Sequence, residues 1–491
     1  MHSVSSPSAL PSHLPVHATG GRTLAIGVAA TAAMWGISYI AIMLQPGLIA
    51  GEFIFAAIIG IVLAAGFIAG ANSAPGKSAI LAAMAVGLTT AILNLLIIGS
   101  LLTNPETSKL QPGAMLWILG DLLATPLLAG VGGLFGGMGR KAAQPARNWL
   151  NSLTWSASLT IFLLLITGGL VTGMEAGMAV FDWPNTFGHN MFLFPLSQMK
   201  GGVYFEHAHR LYGSLVGLTT ILLMLSLFMY DKRKWIRWLG VSLFFAVCIQ
   251  GVLGGTRVLE SSTTLAIAHG IFAQLVFATL VCLTAFTSST WLAHWHAGDS
   301  MLAKSDRIGS KHLFRLVAVQ LVLGALYRHL NDKPVPTPVI HSILGLHILA
   351  ATGVLAGGIL IGARAWSQRN TVIPETFSDD EHRAISAAMQ WRGKLGMALM
   401  ALISAQVMLG VISLVLVISR NTAGSKIIPA SEIAFTSAHH GVGALILAVS
   451  ALLMVWSRRL STSSPSLDSN RTVFIETMAQ SAPAPTGSLT G

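Results

Sequence analysis

The sequence predicts an all-α polytopic membrane protein of about twelve transmembrane helices, the last eight forming two tandem four-helix bundles. Three observations predict it. Hydrophobic residues make up 53% of the 491 and charged residues 10%, against roughly 25% charged in a soluble domain. The apolar residues form continuous runs of about 20, the length that crosses a ~30 Å hydrocarbon core. A short phrase also recurs in alternate runs of the later chain, the mark of an internal repeat. This composition excludes a soluble enzyme, a disordered scaffold and a secreted disulfide module. Continuous rather than alternating runs exclude a transmembrane barrel. Cys248 and Cys282 both lie in apolar runs, so no disulfide framework is implied.

A window of about 19 residues places spans at 24–44, 48–71, 80–102, 114–135, 150–171, 206–230, 238–258, 265–286, 313–330, 339–361, 395–418 and 434–456. Lys and Arg then fix the orientation. Of the 29, 21 fall on the side that holds both ends of the chain, including Arg140, Lys141, Arg147, Lys232, Arg233 and Lys234. That bias puts both termini in the cytoplasm. The net charge of +11 is therefore a topology signal and not the footprint of a nucleic-acid partner.

The ends differ in kind. Residues 1–21 are rich in Ser, Pro and His and contain no Arg, unlike a mitochondrial transit peptide. Residues 461–491 are rich in Ser, Thr and Pro. Both read as disordered cytoplasmic tails. Between them the expected units are an added four-helix module at 22–148 and bundles at 149–298 and 299–460. A bacterial inner (plasma) membrane is the simplest placement.

The repeat is visible in two phrases. One is Gln-x-x-Leu-Gly, at Gln250–Gly254, Gln320–Gly324 and Gln406–Gly410, with a weaker echo at Leu165–Gly169. The other is a histidine followed four residues later by a small residue: His209/Gly213, His269/Ala273, His341/Gly345 and His439/Gly443. An even number of helices per unit gives the two units the same orientation.

All four histidines lie near the start of a helix entering from the non-cytoplasmic side. An ionisable group inside a membrane is costly and reads as a site unless it serves packing. The small residue one turn away leaves room for something flat against the helix. Haem fits that description, with two imidazoles from facing helices bound axially to the iron. Zinc or copper fits less well, because no cysteine or carboxylate set accompanies each pair. His440 stands about 100° around its helix from His439, and His347 about 240° from His341, so both are expected to face elsewhere. His207 is set aside on the same ground. His294, His296 and His312 read as solvated.

One acid separates the two halves. Glu206 precedes His209 by three and shares its helix face, whereas Pro338 holds the matching place before His341. Glu206 is then a chemical group of the first half, or an interfacial charge partnered by Arg210. Arg210 and Arg257, near the same surface, are candidate partners for haem propionates, or plain interfacial anchors.

These residues resemble the haem A synthase family. Glu206-His-Ala-His209-Arg210 resembles its ExxHR signature, and Thr167–Gly177 with Asp182-Trp183-Pro184 resembles its first outer loop. The segments around Gln250–Arg257, His269, Gln320–His329 and His439–Ala444 also fit, so the resemblance covers roughly residues 150–458. It implies a membrane oxidoreductase that converts the C8 methyl of haem O to a formyl group, making haem A for haem-copper terminal oxidases. It implies His209 and His269 as ligands of the substrate haem, His341 and His439 as ligands of a haem b cofactor, and an essential Glu206. The implied partners are haem O synthase, an electron donor or acceptor, and the terminal oxidase under assembly.

The chain departs from the family in places. Ser342 follows His341 where many members have Arg, the 172–205 loop lacks a cysteine pair, and the 1–148 region has no counterpart in the family core. Asp121 and Glu52 in that region read as packing or interfacial groups. Two rival classes are a non-catalytic di-haem b cytochrome exchanging electrons with quinone, and a transporter with broken helices and polar groups at mid-membrane. The cytochrome leaves Glu206 without a purpose. The transporter does not fit informative residues gathered near one surface.

Overall fold

The structure, a computed structural model, describes residues 19–43, 51–107, 109–138, 148–293, 302–331, 333–375 and 377–461. Both tails lie outside the described residues but for Thr19–Gly21 and Ser461, as do Arg140, Lys141, Arg147, His294 and His296.

Among the described residues, twelve helices are long and apolar enough to cross a membrane, and the chain is a polytopic membrane protein. The helices are α1 (Thr19–Met43), α2 (Gly51–Ala71), α3 (Lys77–Leu102), α4 (Ala114–Gly137), α5 (Trp149–Gly173), α6 (Gly202–Tyr230), α7 (Lys234–Leu259) and α8 (Thr263–Phe286). A single turn, α9 (Ser289–Leu292), precedes α10 (Lys304–Leu330), α11 (Thr337–Ser367), α12 (Asp379–Thr422) and α13 (Ala430–Ser461).

Small residues set how closely the first helices approach. Gly66 and Gly70 of α2 meet the backbone of Ala129 and Gly133 in α4, and Gly132 and Gly136 of α4 meet Leu63 and Phe67 in return. A methyl group at any of these would run into a carbonyl. Close backbone contact replaces the hydrophobic drive that lipid cannot supply. α1 stands apart from that trio's tightest seam and packs along α5. Its Tyr39 stacks on Tyr204 of α6, ring centres 5.4 Å apart, and Trp35 meets Tyr212 edge-on at 5.4 Å.

α5, α6, α7 and α8 pack in a closed ring, each touching two neighbours, and α10, α11, α12 and α13 do the same. The rings meet along α13, which lies against both α5 and α8. At the end where α10 begins, the second ring is tied by a buried polar knot. Arg392 of α12 donates to Ser457 of α13 at 3.0 Å and to Gln368 at 2.8 Å, and lies 3.7 Å from Asp306 of α10. Arg364 of α11 reaches the same Asp306 at 3.0 Å. Every member has a partner, as buried charges require.

α12 runs 44 residues, far beyond the apolar stretch 395–418 that hydropathy picks out. Its start is fixed by a capping box in which Ser378 and Glu381 each satisfy the other's backbone N–H.

Candidate functional site

Four imidazoles rest on four glycines. A Cβ built on Gly168 of α5 would lie 3.0 Å from Cε1 of His209 on α6. The same relation joins Gly254 of α7 to His269 of α8 (3.1 Å), Gly324 of α10 to His347 of α11 (3.0 Å), and Gly410 of α12 to His439 of α13 (3.0 Å). The glycine of the repeated phrase is thus a platform. It must be glycine because the ring of the next helix occupies the space a side chain would fill. In α5 the platform is Gly168, one residue before the end of the weak echo.

The platforms aim the rings at one another in pairs. His209 and His269 face across the first ring, centres 6.4 Å apart and planes at 81°. His347 and His439 face across the second, at 6.5 Å and 65°. The pairing in the second ring corrects the expectation drawn from the sequence. His341 is exposed in the opening turns of α11, next to Pro338, and His347 takes the place opposite His439. The reason is depth. His209, His269 and His439 stand seven, six and nine residues after the first residues of their helices (Gly202, Thr263, Ala430), whereas His341 stands only four after Thr337. The shared phrase from His341 to Gly345 had pointed to the shallower residue.

Around the rings several polar atoms are left unmatched. Nδ1 of His269, His347 and His439 is buried without a hydrogen-bond partner, as is Oε1 of Gln250, Gln320 and Gln406. Nδ1 of His209 is held by Thr167 Oγ1 at 3.1 Å. Along the His209 stripe of α6, a Cβ at Gly213 or Gly217 would meet nothing within 4 Å, and the same holds at Gly251 of α7 and Gly270 of α8. The first ring therefore keeps open space beside its histidines.

A folded loop closes that end of the first ring, and Glu206 anchors it. Glu206 is 3% exposed. Its Oε2 accepts from the Val180 amide at 2.9 Å, and its Oε1 from Arg210 at 2.7 Å. Arg210 also donates to the carbonyls of Asp182 (2.7 Å), Asn185 (3.0 Å) and Val180 (2.8 Å). Its guanidinium is committed to the loop, not held free for a propionate. His207, set aside in the sequence, has a part here: Nδ1 lies 3.0 Å from Thr186 Oγ1. Asp182 accepts from the amides of Phe187 and Gly188 at 2.8 and 2.7 Å. Partial burial pushes its carboxyl up, but those amides and nearby Arg210 outweigh it and hold it below the usual range. Trp183 lies flat on Gly255 of α7, and Arg257 reaches Gly177 O at 3.1 Å.

The second ring has an ion pair of its own. Arg420 of α12 meets Glu432 of α13 at 3.0 Å, both largely buried. Glu432 stands seven residues before His439, where an acid looked for ahead of His341 is not found. Asp121 accepts from Thr125 at 2.7 Å within α4, and Glu52 is exposed, so neither reaches the histidines.

Two imidazoles facing at this distance can share one metal ion. Metal–imidazole bonds of about 2.0–2.1 Å and a nitrogen about 1.1 Å from its ring centre put the centres of two opposed ligands roughly 6.3 Å apart. Among the described residues no group of three or more His, Cys, Asp or Glu is placed to hold a metal ion. Any ion between the paired rings would take its other ligands from a group that brings them.

Fold and site define a helical membrane protein with two facing imidazole pairs, one under a clamped loop. A model of the COX15-CtaA family, described as cytochrome oxidase assembly protein, matches residues 49–281 and 186–340. The chain belongs to this family, and with it to the assembly of cytochrome oxidase. The match takes in α2–α4, which the resemblance read from the sequence left out, and ends before His347 and His439. No curated protein matches the chain.

Proposed function

We propose that the chain is a haem A synthase of a bacterial inner membrane, with both termini cytoplasmic. It oxidises the C8 methyl of haem O to a formyl group for haem-copper terminal oxidases. The observation that carries this reading is the pair of opposed imidazoles repeated in two rings, of which the first lies beneath the loop clamped by Glu206. The residues fit the groups. Ring separations of 6.4 and 6.5 Å suit two imidazoles that would share one ion, and Nε2 of His347 and His439, resting 3.2 and 3.3 Å from the side-chain nitrogens of Gln320 and Gln406, would exchange those contacts for it.

On this reading His209 and His269 hold haem O as substrate, and His347 and His439 hold haem b. Bound there, haem b supplies one-electron redox chemistry. The other roles belong to the chain. The loop at 174–201 shuts the end of the first ring and keeps water from the reacting edge, with Trp183 seated on Gly255. Glu206 has both oxygens engaged, so it acts as a positioning residue through Arg210 and Val180. Arg257, with a single loop carbonyl as its hydrogen-bond acceptor, takes a haem carboxylate. Haem O synthase supplies the substrate, and an electron partner completes the cycle.

The test is expression of residues 1–491 in a host that makes haem O but no haem A, with extracted haems resolved by chromatography and mass. Haem A or its hydroxylated precursor supports the synthase. Haem b alone, with haem O present and a working reductant, selects the di-haem cytochrome, which the equal construction of the two pairs also favours. Well-folded protein without haem overturns both.

A further inference from the structure

His440 has no part in either pair, yet it sits between them. It follows His439 on α13, and the turn of about 100° between neighbours sends the two rings into different bundles. His439 faces His347 inside the second ring. His440 points the other way, onto α5, where a Cβ on Gly169 would lie 3.2 Å from its Cδ2. Gly169 in turn follows Gly168, the platform beneath His209. Gln274 of α8 fixes the His440 ring, with its Nε2 3.4 Å from Nδ1.

The result is a short chain of contacts between the sites. It runs from the His209 ring to Gly168, along one peptide bond to Gly169, across to the His440 ring, and along one peptide bond to His439. Only two of its steps cross space, and at each an imidazole fills the place where a glycine's Cβ would stand. Two glycines in succession are needed, because one admits the ring of α6 and the other the ring of α13. Gly441 of α13, packed on Ile166 of α5, keeps the helices at that spacing.

We infer that His440, seated on Gly169, is the contact through which the two histidine-pair sites exchange electrons. This rests on the reading of both pairs as haem ligands. One electron leaves a reduced iron at one pair and arrives at an oxidised iron at the other. No bond forms or breaks, and the exchange itself moves no proton. Electron transfer slows steeply when bonded or touching atoms are replaced by a gap, so His440 is a positioning residue with a measurable effect on rate.

The experiment uses the full chain carrying haem b, with haem A added as the probe in the first site, since its absorption differs from that of haem b. A soluble photoreductant delivers a pulse of electrons, and time-resolved absorption follows their equilibration between the two centres. His440→Leu is expected to slow equilibration about tenfold or more while both low-spin bis-histidine spectra are retained. Gly169→Ala, which presses a methyl against the ring, should slow it less. Unchanged rates in both variants, with both spectra intact, overturn the inference and leave the haem sites standing. Absence of two low-spin centres in the unsubstituted protein overturns the underlying reading as well. If His440→Leu fails to fold, Gly169→Ala and Gln274→Leu carry the same measurement.

Discussion

Glu206 and Arg210 stand one turn apart on α6 and form a 2.7 Å ion pair with side chains 4% and 9% exposed. The pair does not face an open cavity with a free oxygen. It closes on the backbone of the loop at Val180, Asp182 and Asn185. Of the two roles the sequence leaves open for this acid, the partner of Arg210 is the one these contacts describe, and with it Glu206 holds the loop.

Removing that anchor should loosen the cover. Glu206→Ala leaves a buried guanidinium uncompensated, a loss of about 3–5 kcal/mol for such pairs. Hydrogen exchange at the Val180 amide should accelerate sharply, and haem A formation should fall. An amide that exchanges as slowly in the variant as in the parent would show that the ion pair does not hold the loop.

The two candidate ligands of the second ring are separable. His347→Ala should abolish one low-spin haem spectrum, as should His439→Ala, whereas His341→Ala should leave both spectra intact. Absorption and electron paramagnetic resonance of the purified variants decide it. Loss of the second haem in His341→Ala alone would restore the shallower residue.

Each platform should tolerate no side chain. Ala at Gly168, Gly254, Gly324 or Gly410 places a methyl 3.0–3.1 Å from the imidazole, tighter than ordinary contact, so the ring must swing. We expect a shifted low-spin signal for Ala and loss of haem for Val, read from the haem-to-protein ratio after purification. Full occupancy in Gly168→Val would show that the ring has room to retreat.

The loop also carries a pH dependence. The carboxyl of Asp182 is held below its usual range by two amides and Arg210, against the opposing effect of partial burial. A lowered folded pKa stabilises above the unfolded value of about 3.9 and is lost as pH falls through the folded value. Protection of the Phe187 and Gly188 amides should hold at pH 5–7 and decline below about pH 4. In Asp182→Asn that decline should vanish, as exchange measured across this range will show.

At the far end of the second ring, Arg392→Leu should lower stability by about 2 kcal/mol, since it breaks charge-assisted bonds to Ser457 and Gln368 and leaves Asp306 with Arg364 as its one cation among the described residues. Thermal unfolding in detergent, with the parent as reference, measures the difference.

The spans were legible because lipid imposes one rule on every helix, a continuous apolar run of sufficient length. What that rule ignores was not legible. The first sixteen residues of α12 are polar enough to escape a hydropathy window, although the Ser378–Glu381 box announces them. The histidine pairs were visible as a repeat, but choosing between His341 and His347 needed their depth, which depends on where α11 starts. Pro338 near its first residue was the usable signal. The pairing of Glu206 with Arg210 is legible in their spacing of four, but the capture of its other oxygen is not, because that partner is the backbone amide of Val180, 26 residues back along the chain.

Arg392 and Gly410 lie on the same unbroken helix, eighteen residues apart, about 27 Å at 1.5 Å per residue. One anchors the polar knot and the other supports the His439 ring. Within a continuous helix, position and bearing are locked together. A single inserted residue between them would advance one end by about 1.5 Å and turn it by about 100°, sending either the guanidinium or the glycine to the wrong neighbour. Substitutions along this stretch are free wherever they face lipid, but its length is not. Like a key cut at both ends, it works in one register, and no loop intervenes to absorb an error.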